Sequence, residues 1–349
     1  MSLGIVILGV GRWGKHLVRN FANHPRVHLI AIVDPHQEQL AECRERLNLE
    51  ENIILTESWY SIREHSSIDA VVIATPASTH YALILDALQL GYHVFTEKPL
   101  TLEPTECLEL CQLAQQKQLQ LFVDHTYLFN PAVEGGKKAI ADGAIGNLRY
   151  GYASRTHLAP VRQDVDALWD LAIHDLGIFN YWLGQTPICV RAIGNVWLQP
   201  EGKMEFPAHE QNNQLPLSDL VWVTLTYPEG FQAQIHLCWC NPDKQRRLCA
   251  VGDRGTLIFD EMQPDSLLTL QHGTFKRENI NFLPIDIITE KLPLDEYEPL
   301  GRVCDRFIES IQTQTPSPIS SGWVGLELVK ILDALTRSLQ QGGENIFLD

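Results

Sequence analysis

Positive charge is scarce in this chain. It has 27 Lys and Arg against 43 Asp and Glu, a formal net charge of −16. A field of that sign repels polyphosphate chains and anionic lipid surfaces, so nucleic acid and membrane are poor partners. A local basic pocket for one small anion is still compatible with it. Long apolar runs are also missing. None approaches the ~18 residues that a membrane span needs. The opening MSLGIVILGVG has no basic n-region and its apolar run breaks at Gly9. It reads as a buried strand and not as a signal peptide. The eight cysteines (Cys43, Cys107, Cys111, Cys189, Cys238, Cys240, Cys249 and Cys304) form no CxxC and no paired metal spacing. They are expected to be reduced thiols of a cytoplasmic protein, with no metal site among them. Internal repeats and low-complexity segments are absent as well.

The 349 residues suggest about two domains, at roughly 150 residues per domain. Hydrophobic residues make up 45% and charged residues 20%, an ordinary globular composition. Short apolar runs recur in the first third: GIVILGV, HLIAIVD, DAVVIAT, YHVFTEK and LQLFVDH. Runs of this length suit strands buried on both faces, as in a parallel sheet. Helix-like segments separate them at Lys15 to Asn23, Gln37 to Leu47, Thr79 to Leu90 and Pro104 to Lys117. This alternation predicts a doubly wound α/β (Rossmann) domain over residues 1–124.

From about Asn147 the pattern changes to successive strand-like segments with partial alternation. They predict an open, mainly antiparallel sheet in a second, α+β domain over residues 125–349. The polar, proline-bearing stretch Gln199 to Asp219 reads as an exposed loop. Two helices, Leu300 to Thr313 and Trp323 to Gln340, are expected to close the chain around a TPSPIS turn.

GVGRWG places Gly9, Gly11 and Gly14 in the G-x-G-x-x-G spacing, after a predicted strand and at the start of a predicted helix. The glycines serve a tight turn, a backbone approach to pyrophosphate and close helix packing. The free amides of the helix start then face the phosphates. Asp34, 20 residues beyond Gly14, ends the second strand, where a carboxylate can accept hydrogen bonds from a ribose diol. That carboxylate would repel a 2′-phosphate, and Pro35 follows it, so NAD is expected over NADP. The strand ends ATPASTH and TEKPL open on the same crevice. The candidate cofactor contacts are therefore Gly9, Gly11, Arg12, Trp13, Gly14, Asp34, Thr75, Pro76, His80, Glu97 and Lys98.

The segment WDLAIHDLG sets Asp170 and His174 four residues apart in an otherwise mostly apolar run. Residues four apart share one helix face. A catalytic pair, a metal site and a satisfied core pair are all open on spacing alone, though a third metal ligand at helical spacing is missing.

GVGRWG, Asp34, ATPASTHY, EKPL, DGAIGNL, WDLAIHDLG and VGDRGTL follow one another in an order that resembles the glucose–fructose oxidoreductase / inositol 2-dehydrogenase (Gfo/Idh/MocA) family. The resemblance runs from Gly4 to the final helix. It implies a nucleotide-binding domain followed by an open antiparallel sheet domain. It also implies hydride transfer between a nicotinamide cofactor and a carbon–oxygen centre of a sugar or cyclitol. The residues that carry the chemistry in that family match Lys98, Asp170 and His174. A histidine near neutral pH can take the hydroxyl proton, and a lysine ammonium can stabilise negative charge on the oxygen.

The chain departs from the family at FVDHTYLFNP, where an arginine is often found and Tyr127 and Leu128 stand instead. Tyr127 is thus a candidate substrate contact. Arg155 and Arg162 are candidates for binding a carboxylate or phosphate on the substrate, since Arg suits bidentate anion recognition. The upstream Arg-x-Asp-Val looks like members that act on nucleotide-linked amino sugars. The resemblance also implies a homodimer or homotetramer through the C-terminal sheet, with Trp197, Trp222 and Trp239 as candidates to cover the interface. Two other readings stay open. One is a non-catalytic NAD-binding regulator. The other is a glycosidase that uses NAD transiently for redox-assisted elimination.

Overall fold

The structure is a computed structural model that describes residues 2–158, 160–198 and 217–348. It divides into two compact units. The first comprises Met1–Thr126 and Glu298–Val329, the second Tyr127–Tyr297 and Lys330–Asp349. Sequence reasoning drew a single boundary at residue 124; the first unit also takes in Glu298–Val329.

The first unit is built on six parallel strands: β1 (Leu3–Leu8), β2 (Val27–Val33), β3 (Ile54–Thr56), β4 (Ala70–Ile73), β5 (His93–Thr96) and β6 (Leu121–Val123). Their order, β3-β2-β1-β4-β5-β6, is that of a doubly wound dinucleotide-binding sheet. The β1 and β4 cores, Ile5 to Ile7 and Ala70 to Ile73, are fully enclosed, which is why they read as continuous apolar runs. Helices α1 (Gly14–Ala22), α2 (Gln37–Leu47), α3 (His80–Gln89) and α4 (Pro104–Gln116) lie within two residues of the expected limits.

The second unit holds α5 (Pro131–Ala141), β7 (Leu148–Leu158), α6 (Ile173–Leu183), β8 (Cys189–Asn195), β9 (Leu220–Thr226), β10 (Gln232–Cys238), β11 (Cys240–Gly252), β12 (Gly255–Asp260), β13 (Leu268–Glu278) and β14 (Asn281–Lys291). Helices α7 (Pro299–Thr313) and α8 (Gly322–Gln340) and the short β15 (Ile346–Phe347) complete the chain.

The return of Glu298–Val329 to the first unit has a packing cause. Phe307 of α7 is fully buried and meets Phe21, Phe95 and Phe122 at centroid distances of 6.3, 5.4 and 5.7 Å. Phe122 also bridges to Ser321.

The second unit's sheet has nine strands in the order β14-β13-β12-β11-β7-β10-β9-β8-β15. All neighbours are antiparallel except β7 and β10, which run parallel. In β9, Val221, Val223 and Leu225 are buried while Trp222 is 47% exposed, the alternation of a sheet covered on one face. On the covered face a Cβ at Gly151 would meet the Phe179 ring of α6 at 2.6 Å, and one at Gly135 of α5 would meet Leu268 at 3.2 Å. On the other face lie Trp222, stacked on His236 at 4.1 Å, and Tyr150 beside Tyr152. Trp197 is also exposed. Trp239 is different: it is 1% exposed and its indole points inward, so it does not belong to that surface. The expected loop from Gln199 falls, up to residue 216, outside the described residues.

Candidate active site

The first unit supplies a nucleotide cradle. Gly9 has φ +92°, and a Cβ there would come within 2.6 Å of the Ala74 carbonyl. A Cβ on Gly14 would meet the Gly9 carbonyl at 2.2 Å. A Cβ on Gly11 would meet nothing within 4 Å, so the backbone is open at the glycine assigned to pyrophosphate approach. α1 starts without a side-chain cap and without an acid in its first turn, which leaves its amides for an anion. Arg12 and Trp13 are exposed at this loop, as is Pro76.

Asp34 is 5% exposed and braces the same loop. Its Oδ2 accepts from the Val10 amide at 2.9 Å, and its Oδ1 accepts from the His36 amide at 2.9 Å. The exposed His36 ring, absent from the sequence expectations, sits 3.0 Å from Oδ1. Thr75 bonds Thr79 through their hydroxyls at 2.7 Å. His80 was expected to touch the cofactor. It is instead fully buried, with Nδ1 2.8 Å from the Pro99 carbonyl and Nε2 3.0 Å from the Thr75 carbonyl. It ties together the loops after β4 and β5.

Lys98 follows β5, and the Lys98–Pro99 peptide is cis. Its amide donates to Glu97 Oε2 at 3.3 Å. Behind it lies a carboxyl pair that sequence reasoning missed. Glu97 and the 2% exposed Asp124 lie close enough for each to act on the other, and Glu97 Oε1 is buried without a hydrogen-bond partner among the described residues. Burial pushes both carboxyls up, and Asp124's charge pushes Glu97 further, well above the usual range. A second negative charge beside the first is disfavoured, which is the cause of the larger upward push on Glu97. Asp124 also accepts from the Thr126 hydroxyl at 2.5 Å and from the Trp13 indole at 3.4 Å. Next to it, His125 is pushed down to about 3, first by burial and then by the Lys98 charge.

The second unit presents the D-x-x-x-H segment. Of residues 165–179, only Asp170 and His174 are not buried. The segment is not a plain α-helix. Leu168–Ala172 form a π-helical turn that runs into α6, and such turns gather at functional sites. Asp166 starts the turn by accepting from the Trp169 amide at 3.0 Å. Asp170 is held from two sides: Arg162 Nη1 donates to Oδ1 at 3.2 Å, and Trp239 Nε1 donates to Oδ2 at 3.3 Å. The His174 ring lies 4.7 Å from the Tyr127 ring.

Tyr127 is fixed in turn. Its hydroxyl donates to Glu261 at 2.8 Å and accepts from Arg155 Nη1 at 2.9 Å. Burial raises its pKa and keeps it protonated.

The two arginines expected to bind a substrate anion are both committed to carboxylates. Arg155 is 3% exposed, and its Nε and Nη2 donate to Asp175 at 3.1 and 2.7 Å. Burial opposes its charge, but Asp175 outweighs that and raises its pKa. Its guanidinium also lies 4.6 Å over the Tyr127 ring. Arg155 thus stands behind Tyr127 as a support. Arg162 Nε donates to Asp164 at 2.9 Å and its Nη1 to Asp170. Sequence reasoning missed Asp164, Glu261, His157 and Arg246. One signal was available: His157 lies two residues from Arg155 in one strand and so shares its face.

Among the described residues, no group of three His, Cys, Asp or Glu is arranged to hold a metal ion. No described helix is long and apolar enough to cross a membrane.

Residues 3–125 match an oxidoreductase family with an NAD-binding Rossmann fold, and residues 137–346 match that family's C-terminal alpha/beta domain. UDP-N-acetylglucosamine 3-dehydrogenase of Acidithiobacillus ferrooxidans is 33% identical over 195 residues, covering 54% of this chain and 56% of that protein. The scyllo-inositol 2-dehydrogenase (NAD(+)) of Bacillus subtilis is 30% identical over 200 residues, 56% of this chain and 58% of that protein. The chain thus spans just over half the length of these two relatives. The solved structure of the Acidithiobacillus enzyme superposes with a TM-score of 0.80 at 22% identity, covering 98% of this chain and 99% of that one, a likeness of fold. With both domains matched over most of its length, the chain belongs to the Gfo/Idh/MocA oxidoreductase family.

Proposed function

We propose that this protein is an NAD-dependent dehydrogenase that oxidises a secondary alcohol of a sugar, a cyclitol or a nucleotide-linked sugar. The observation that carries the reading is the partial exposure of Asp170 and His174 alone within the buried stretch 165–179. The relatives named for UDP-N-acetylglucosamine and scyllo-inositol support the substrate range.

Bound NAD would supply the hydride acceptor. The open Gly11, the uncapped start of α1 and the Asp34 carboxylate fit it. Asp34 disfavours a 2′-phosphate, so NAD is preferred to NADP. His174 takes the hydroxyl proton. The Lys98 ammonium donates to the substrate oxygen and stabilises the charge that develops there. Asp170, held in place by hydrogen bonds from Arg162 and Trp239, binds a hydroxyl or orients the imidazole. A cytoplasmic location, and a homodimer or homotetramer formed through the uncovered sheet face, belong to the same reading.

The test is NADH formation with sugars, cyclitols, sugar acids and nucleotide sugars, run in parallel with NADP. His174→Ala and Lys98→Ala are each expected to lower kcat at least about a hundredfold while NAD still binds. Near-normal turnover in either variant, or a clear NADP preference, contradicts the corresponding assignment.

A further inference from the structure

The second unit contains three arginines near Tyr127 and Asp170: Arg155, Arg162 and Arg246. Arg155 is paired bidentately with Asp175, and Arg162 with Asp164 and Asp170. Glu261 receives the Tyr127 hydroxyl and lies 4.0 Å from Arg155. Every acid in the group is thereby engaged. Among the described residues, no carboxylate lies within ion-pair distance of Arg246. This guanidinium is half-buried, and its Nη1 is buried without a hydrogen-bond partner. A buried donor on a cation, left without a partner, is costly.

Among the described residues, the one polar partner of its side chain is not an anion. Arg246 Nη2 donates to His157 Nδ1 at 3.1 Å. Burial and then the Arg246 charge push the His157 pKa down, so the ring is neutral. With Nδ1 accepting, the proton sits on Nε2, which becomes a second donor. Arg246 is the register partner of Arg155 across β11 and β7, and His157 is two residues further along β7. All three therefore lie on one face, and that face carries the α6 partner Asp175. Asp170 is close enough for its charge to act on His157. The pair is thus a cation with two donors and, among the described residues, no carboxylate at ion-pair distance, beside the residue proposed to hold the reacting sugar; Glu261 and Asp175 act on Arg246 only from further off.

We propose that Arg246 and His157 bind an oxyanion substituent of the substrate, a carboxylate or a phosphate, and so select acidic sugars over neutral ones. The proposal rests on the dehydrogenase reading for its substrate but not for its anion site. A chain of net charge −16 repels such a ligand at a distance. The local guanidinium, with a buried Nη1 that has no partner among the described residues, is what makes its binding possible. The chemistry is shared by a sugar acid and a nucleoside-diphosphate sugar.

The experiment uses NAD-loaded protein and four probes: D-glucuronate, UDP-N-acetylglucosamine, D-glucose and myo-inositol. Wild type is expected to prefer one of the two anionic probes in kcat/KM. Arg246→Gln is expected to cut that preference about ten- to a hundredfold, mainly through KM, the scale of one charge-assisted hydrogen bond. Arg246→Lys should restore part of it. Calorimetry with the anionic probes and with UDP alone separates the sources, since glucuronate without UDP means a carboxylate and UDP without glucuronate means a phosphate. If no probe yields NADH but an anionic probe binds in an Arg246-dependent way, the site stands and the dehydrogenase reading falls. A best substrate that is neutral, an anion preference unchanged in Arg246→Gln, or no anion binding to wild type each overturns the proposal. Should Arg246→Gln fail to fold, the Lys variant and wild-type calorimetry still decide.

Discussion

Single residues set the chemistry here through what surrounds them. His125 is the clearest case of burial overruling an ordinary titration. Its folded value, about 3, lies below the usual histidine value of 6.5, so the fold holds it neutral. The unfolded chain takes up a proton as pH falls below 6.5 and the folded one does not. Stability is therefore complete above about 6.5 and falls as pH drops toward 3, by up to about 1.4 kcal/mol per pH unit. His93 is also pushed down by burial and adds a change of the same sign. The Glu97–Asp124 pair is pushed up and acts in the opposite sense. His125→Gln is expected to lose less stability than wild type between pH 6.5 and 5, read from urea midpoints. Parallel pH curves for the two proteins contradict this account of His125.

The same scale shows why some site residues could be read from sequence and others could not. Gly9, Gly11 and Gly14 are local, and their spacing carries its meaning. Asp170 and His174 stood out as polar residues in an apolar run. Arg155 could not be assigned from sequence, because its partner Asp175 lies 20 residues away and meets it only once β7 lies beneath α6. Arg246 follows from Arg155 by elimination, and only with the strand register in hand.

Among elements, five of the six parallel strands were legible because burial on both faces leaves a continuous apolar run; the three-residue β3, exposed or half-buried throughout, was not. β14 was not, since all of its residues are exposed and no alternation marks it. α5 had an explicit start signal, Asn130 as cap and Pro131 at the first position, with the Asn130 side chain accepting from the Ala132 amide at 2.9 Å. The π-helical turn at Leu168–Ala172 is invisible to a 3.6-residue period and alters how a four-residue spacing projects. α7 was predicted as a helix, but its place was not, because an apolar stripe does not name its partner. Its anchor is Phe307, fully buried against Phe21, Phe95 and Phe122. Phe307→Ala should destabilise the first unit by about 3–5 kcal/mol through lost burial and a residual cavity. A change under about 1 kcal/mol in chemical denaturation would mean that this ring does not anchor α7.

At the scale of the whole molecule, the second sheet is covered on one face by helices and, among the described residues, uncovered on the other. The uncovered face carries Trp222 on His236, the Tyr150–Tyr152 pair and the half-exposed Ile193. Apolar surface of this kind on one sheet face suits pairing with a second copy. Trp222→Glu, which places a charge at its centre, is expected to shift the protein toward monomer in sedimentation velocity. An unchanged sedimentation coefficient would remove this face from the assembly.

The central claim is hydride transfer from a sugar carbinol to NAD by a chain that uses Lys98 and His174. It is tested most directly by absorbance of NADH when the protein is mixed with NAD and the sugar panel. Net NADH with at least one free or nucleotide-linked sugar, abolished in His174→Ala, is the predicted result. Cleavage of a glycoside with no net NADH, or no NADH from any member of the panel, would contradict it.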